Sequence, residues 1–220
     1  MSLLSAERIY NARRKKLLFI FFNRHRGPED WWSKNATIED WFDEMVGQAN
    51  IINRFGGVRM EDLRGMRVPF LRVGWNRQFL MMKEFGFVYD ASMVAPFSDP
   101  PLWPYTLDYK IPHKCQGANQ RCPSRSYPGI WEMVMNQLAA EGYTCAMVDS
   151  CPPHLSGDEI YKMLHHNFQR HYTSNRAPLG LYFHTTWFKR ADYLKAFKVK
   201  NSFIQEKSIL LLTFFFFTYK

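Results

Sequence analysis

No apolar run in this 220-residue sequence is long enough to cross a bilayer, which takes about 20 residues. The two candidates are 17–22 and 209–219, and the second is interrupted at Thr213. The first follows a basic cluster but leads into Asn23-Arg24 and not into a small-residue cleavage site, so no signal peptide is recognisable. C-x-x-C is absent too: the four cysteines fall as Cys115/Cys122 and Cys145/Cys151, spacings that fit neither a zinc knuckle nor a dithiol redox motif. Excess positive charge is also missing from the middle. The net charge of +9 comes from the ends, 1–24 and 189–220 carrying +5 each, which leaves 25–188 at −1. A nucleic-acid binder carries its basic face on the folded body, so no nucleic-acid partner is expected.

What is present is a foldable chain. It is 46% hydrophobic and 17% aromatic, which excludes disorder for its bulk, and its length suits one domain. The close cysteine pairs suggest two local disulfides, although four cysteines allow three connectivities and four buried thiols in a cytosolic protein are the alternative. Disulfides persist in oxidising compartments, and Asn35-Ala36-Thr37 is a glycosylation sequon. The middle therefore reads as extracellular, without a recognisable route out of the cell.

Local signals place the elements. His25-Arg26-Gly27-Pro28 is a turn. Thr37 caps a helix over 38–53, in which Ile38, Trp41, Phe42, Met45, Ala49 and Ile52 recur at helical spacing. Strands are expected at 66–71, 105–111, 130–136 (a helix being the alternative there), 145–149 and 179–184, and a helix over 77–85 stopped by Gly86. Ser156-Gly157-Asp158-Glu159 is a capping box opening a helix to about Tyr172, and another helix starts at Lys189. Alternating strands and helices argue for an α/β architecture, an incomplete and distorted (β/α) barrel, whose active site gathers at the C-terminal ends of the strands. Arg67, Asp149 and His184 all fall in or at the ends of these expected strands. Residues 199–220, with four consecutive phenylalanines at 214–217, lack caps and periodicity. They resemble translated non-coding sequence, the alternative being a hydrophobic tail that docks on the barrel.

Five motifs occur in order: Arg67-Val68-Pro69-Phe70-Leu71-Arg72-Val73-Gly74, Asp99-Pro100-Pro101-Leu102-Trp103-Pro104-Tyr105, Trp131-Glu132-Met133-Val134-Met135, Ala146-Met147-Val148-Asp149-Ser150-Cys151 and Leu181-Tyr182-Phe183-His184-Thr185-Thr186-Trp187. Together they resemble the polysaccharide deacetylase domain of arthropod chitin deacetylases, carbohydrate esterase family four, over 25–197. On this reading 1–24 is a non-homologous N-terminal segment and 198–220 an aberrant tail. The resemblance implies an extracellular zinc-dependent hydrolase that removes acetyl groups from chitin or N-acetylglucosamine oligomers. Zinc, on one Asp and two His, polarises the amide; an Asp takes a proton from water, and a His protonates the departing amine.

Carried over residue by residue, His184 matches the general acid and Arg67 the arginine that orients the catalytic Asp. Phe70 stands where that motif usually has Tyr, and its backbone would serve the oxyanion. Asp149 resembles the acid that pairs with that arginine or supports the acid His. Phe183 and Trp187 are candidate substrate contacts, Trp187 as a pocket wall. His25 matches the second His of an H-x-x-x-H zinc motif, but Phe21 stands at the first, and 1–24 contain no Asp. One protein ligand of three remains and the base is missing, so this chain is expected neither to bind zinc nor to catalyse. The expected identity is thus a faulty or partial translation of an active enzyme, with a non-catalytic carbohydrate-binding remnant as the alternative. His165, His166 and His171 are read as one solvated helix face, because five or six residues separate the first two from the third. Trp31, Trp32, Trp103 and Trp131 could stack on sugars, with core packing the default.

Overall fold

The computed structural model describes residues 20–21, 31–117, 120–152, 154–206 and 211–216. The chain divides into two compact units, one built from 1–93 and 105–134 and the other from 94–104 and 135–220. Both mix helices with short strands, and the first holds a mostly parallel sheet.

The first unit opens with strand β1 (Ile20–Phe21) and helices α1 (Trp31–Lys34) and α2 (Ile38–Gly56). The α2 start follows from the sequence: the Thr37 N–H donates to Asp40 Oδ2 at 2.9 Å and the Asp40 N–H to Thr37 Oγ1 at 3.1 Å. Its Trp41, Met45 and Ala49 are fully buried, four residues apart on one face. Strand β2 (Gly65–Met66), helix α3 (Trp75–Phe85, ended by Gly86 at φ +84°), and strands β3 (Tyr89–Asp90), β4 (Tyr105–Thr106) and β5 (Trp131–Glu132) complete the unit. The sheet order is β1-β2-β3-β5-β4, with only the β4–β5 pairing antiparallel. Two glycines permit close packing. A Cβ on Gly65 would lie 1.9 Å from the Tyr89 ring, and one on Gly74 would lie 2.2 Å from the Trp41 ring.

The second unit contains the hairpin β6 (Leu138–Ala140) and β7 (Tyr143–Cys145), helix α4 (Gly157–Thr173), strand β8 (Leu179–His184), helix α5 (Ala191–Glu206) and strand β9 (Leu211–Phe216). Its core gathers Leu138, Val148, Leu164, Phe168, Leu181 and Phe183, among others. Ser156 and Glu159 form the expected capping box of α4. The α4 side chain of Asn167 clamps β6, accepting the Ala139 N–H at 2.9 Å and donating to the Ala139 carbonyl at 2.8 Å. Arg170 donates to the carbonyls of Ser98 and Gln137 at 2.6 and 2.7 Å. Trp103 Nε1 donates to Asn175 O at 3.2 Å.

Several expectations need correcting. The strand expected at 66–71 ends at Met66, because Val68-Pro69 leads into a 3-10 turn at Pro69–Leu71. Strands expected over 105–111 and 130–136 shrink to Tyr105–Thr106 and Trp131–Glu132. The strand expected at 145–149 stops at Cys145. Cys145 and Cys151 are bonded with Cα atoms 5.2 Å apart, whereas six extended residues would span about 20 Å, so the chain must turn back. Cys115–Cys122 is the other disulfide. Residues 20–21, within the segment read as non-homologous, form the β1 edge. The tail also acquires structure: α5 runs to Glu206, and β9 pairs in parallel with β8 from Leu179↔Leu211 to His184↔Phe216. The Leu/Phe run of 211–216 carries no alternation, which is why periodicity failed to reveal β9.

Candidate functional site

β8 delivers His184 to its C-terminal end, where the chain breaks into a 3-10 turn at Thr185–Lys189. Asp149 reaches it from the 3-10 turn Val148–Ser150, which the Cys145–Cys151 disulfide brackets. Ser150 Oγ tightens that turn, accepting the Met147 N–H at 3.1 Å and donating to the Met147 carbonyl at 2.8 Å. One carboxylate oxygen, Asp149 Oδ2, receives both the His184 backbone N–H and His184 Nδ1, each at 2.6 Å. The backbone bond fixes where the imidazole begins and the side-chain bond fixes its rotation. The Asp149 side chain is 13% exposed and that of His184 33%, so the carboxylate is sheltered while the ring meets solvent. With Nδ1 committed to Asp149, proton exchange with a substrate falls to Nε2.

The first unit holds a second polar constellation. Arg67 directly follows β2, and Asp90 and Glu132 are register partners on the adjacent parallel strands β3 and β5. All three are fully buried. Asp90 Oδ1 accepts from Gln78 Nε2 and Ser92 Oγ, both at 2.8 Å, and Oδ2 accepts the Ser92 N–H at 3.0 Å. Glu132 Oε1 accepts the Met93 N–H at 3.1 Å. Ser92 Oγ in turn accepts the Val68 N–H at 2.9 Å, tying the network to the Arg67 motif.

Two carboxyls facing one guanidinium cannot both ionise cheaply in so dry a place. Burial, then the charge and hydrogen bond of Asp90, push Glu132 well above the usual carboxylate range, against the Met93 N–H and Arg67. Burial also raises Asp90, opposed by its hydrogen bonds with Glu132 and Ser92 and by Arg67. Asp90 has the richer set of donors, so it holds the charge and Glu132 the proton.

Other sequence-derived candidates are placed differently. Phe70 sits in the 3-10 turn at φ +54°, a strained position for a non-glycine residue, with its side chain 44% exposed. Gln120 Nε2 donates to the neighbouring Leu71 carbonyl at 2.6 Å. Phe183 and Trp187 are buried, with ring centroids 4.8 Å apart and both packed against Phe188 and Phe197. Both belong to the hydrophobic core of the second unit. His171 leaves the solvated face assigned to it: it is fully buried and its Nδ1 bonds to Ala177 O at 2.8 Å. Trp32 is core, while Trp103 and Trp131 are exposed. His25 lies outside the described residues.

Sequence reading singled out Arg67 but missed Asp90, Glu132, Gln78 and Ser92 as a group. The available signal was a lone acid inside each apolar strand segment, Val88-Tyr89-Asp90-Ala91 and Ile130-Trp131-Glu132-Met133.

Among the described residues, no group of three or more His, Cys, Asp or Glu side chains is arranged to hold a metal ion. Three of the described imidazoles are engaged elsewhere: His184 with Asp149, His171 with Ala177, and His113 with Tyr105 and Lys114. The described donors do not by themselves fit the zinc that the resemblance implies.

Fold and site thus define a mixed α/β protein with a His–Asp pair at the end of a strand and, on the strands of a mostly parallel sheet, a buried Arg–carboxyl cluster. The comparisons make this more specific. No family model matches the chain. It is 49% identical over 182 residues, 79% of its length, to chitin deacetylase 1 of Bombyx mori. It is 32% identical over 191 residues, 84% of its length, to chitin deacetylase 8 of the same organism. The chain is homologous to these arthropod chitin deacetylases, and it spans 33% and 48% of their respective lengths.

Proposed function

We propose that this chain carries the proton-donating half of an extracellular chitin N-deacetylase site, on strands of the polysaccharide deacetylase type of (β/α) barrel. The region 25–197 would be the deacetylase portion, with 1–24 and 198–220 outside it. The observation that carries the reading is the 2.6 Å bond from His184 Nδ1 to Asp149. When water has added to an N-acetyl carbonyl, the C–N bond breaks productively only if the nitrogen leaves as a neutral amine. His184 Nε2–H would give the nitrogen that proton, while Asp149 holds Nδ1–H and steadies the ring. Arg67, backed by the Asp90–Glu132 pair, is proposed to orient the group that takes the proton from water. Asp90 and Glu132 would not be that group, since both are buried and bonded to each other. Zinc would supply carbonyl polarisation and an acidified water in a deacetylase of this kind.

The 220-residue polypeptide is therefore proposed to be catalytically silent. Acetate release from N-acetylglucosamine oligomers should not exceed that of its His184→Ala variant, with or without added zinc. Zinc-dependent release by the unaltered chain would overturn that part. The acid assignment is tested separately by fusing 25–197 behind the corresponding upstream segment of the Bombyx mori relative. The fusion should gain activity, and His184→Ala should remove it by a factor of about 10²–10⁴. An active fusion indifferent to His184 would sink the assignment. A second reading, carbohydrate binding without chemistry, is favoured by the exposed rings of Trp103 and Trp131. Oligomer binding lost on their replacement by Ala would support it.

A further inference from the structure

In the first unit a groove of about 850 Å3, within the size range of small-ligand clefts, is lined by residues from 107–115 and 123–126 of the segment 107–126. The charge of that segment is lopsided. It contains four Lys/Arg and one Asp, although 25–188 as a whole carry −1. Arg121 is occupied over the Trp75 ring at 4.8 Å, and Asp108 is turned to the Gly129 N–H at 3.0 Å. The remaining cations, Lys110, Lys114 and Arg125, all line the groove and are exposed. None is in an ion pair among the described residues. No carboxylate lines the groove beside them.

Further features of the lining point to a sugar. The Tyr109 side chain is 81% exposed, an aromatic face at the edge of a cationic cleft. Ser124 and Ser126 also line the groove, the Ser124 hydroxyl accepting from Asn76 Nδ2 at 2.9 Å and that of Ser126 lying at an exposed position. The wall is also built: Cys115 and Cys122 are bonded, and His113 bridges Tyr105 Oη at 2.8 Å and the Lys114 carbonyl at 2.8 Å. Chitin is uncharged and its deacetylated product cationic, so neither accounts for three uncompensated cations.

We propose that this groove binds an acidic polysaccharide, its sulfate or carboxylate groups on Lys110, Lys114 and Arg125 and a sugar face on Tyr109. The proposal is independent of the role assigned to His184. An acidic protein would use the same cations but has no need of the exposed Tyr109 ring.

The test is equilibrium binding of the full 220-residue chain to a sulfated, uronate-bearing hexasaccharide. Parallel arms use the neutral N-acetylglucosamine hexamer, inorganic sulfate, and a poly-glutamate of matched charge. The basic ends are the confounder, so two variants are compared. Replacing Lys110, Lys114 and Arg125 together by Gln should weaken binding about a hundredfold, at about fivefold per cation facing an anionic partner. Replacing Arg13, Arg14, Lys15 and Lys16 by Gln should leave most of the affinity. Tyr109→Ala should weaken the sulfated sugar but not poly-glutamate, and Lys110→Arg with Lys114→Arg should bind as the parent does. The groove substitutions are at exposed positions, and an unchanged unfolding curve checks that they fold. Binding that follows the N-terminal cluster and not the groove overturns the proposal. So does poly-glutamate binding as tightly as the hexasaccharide, or sulfate competing at the same concentration as the whole sugar.

Discussion

Replacing Glu132 by Gln separates two descriptions of the buried cluster behind Arg67. If Glu132 is the protonated member, Gln reproduces it almost atom for atom: the amide nitrogen donates to Asp90 and the amide oxygen still accepts the Met93 N–H, now 3.1 Å from Glu132 Oε1. The cost should stay within about 1 kcal/mol, one hydrogen bond exchanged for a similar one. Asp90→Asn is a different matter. It sets an amide NH2 among groups that themselves donate, Gln78 Nε2, the Ser92 N–H and Ser92 Oγ, and weakens the compensation of the buried Arg67 charge. Breaking a buried charge pair in this way costs about 3–5 kcal/mol. Urea unfolding of the parent and both variants at pH 7 measures the difference. A Glu132→Gln variant as damaged as Asp90→Asn would mean that Glu132 carries the charge, and the assignment of the proton would be wrong.

The pH dependence has a definite sign. The folded pKa of Glu132 lies above its unfolded value, so its contribution to stability is complete below the unfolded pKa and is lost as pH rises through the folded one. The Glu132→Gln variant lacks that loss, so its stability relative to the parent should rise as pH increases through that window.

Other tests follow from the packing. His171 is buried and held down to about pKa 4, from an ordinary 6.5, chiefly by desolvation. The unfolded chain takes the proton first, so up to about 3 kcal/mol of stability should drain away as pH falls from 6.5 toward 4, and unfolding midpoints of His171→Gln should be flatter over that window. Asn167→Ala strips the partners from both the N–H and the carbonyl of Ala139, and should lower stability by about 2–4 kcal/mol in the same assay. Gly65→Ala drives a Cβ to within 1.9 Å of the buried Tyr89 ring, and should cost about 1–3 kcal/mol by displacing that ring from the sheet.

What could be read from the sequence was whatever is local. The capping boxes at Thr37 and Ser156, the Gly86 stop and the Leu179–His184 strand each announce themselves within a few residues, and the structure contains all four. The two-residue strands do not, since Gly65–Met66 or Trp131–Glu132 become strands only through neighbours distant in the chain. The same holds for β9, whose Leu/Phe run carries no alternation and takes its register from β8. For the candidate site, the motifs single out His184, Asp149 and Arg67 as residues to look at. The partner that Asp149 would choose was not legible, and neither was the joining of Asp90 to Glu132. The first depends on how the 3-10 turn at Val148–Ser150 folds back, and the second on strand register, where a one-residue slip would send Asp90 and Glu132 to opposite faces.

The Asp149 turn also links the chemistry of the site to that of its surroundings. A carboxylate that accepts from both the backbone and the ring of one histidine must be held to within a few tenths of an ångström, and loops do not ordinarily hold side chains so closely. Here the turn is short, bound through Ser150 to Met147, and closed by a covalent bond from Cys145 to Cys151 that spans Asp149. The precision of the His184–Asp149 pair therefore rests in part on a bond that lasts only where thiols are oxidised. That dependence ties the extracellular reading to the site itself: in a reducing compartment the same sequence would keep its aspartate but lose the brace that presents it.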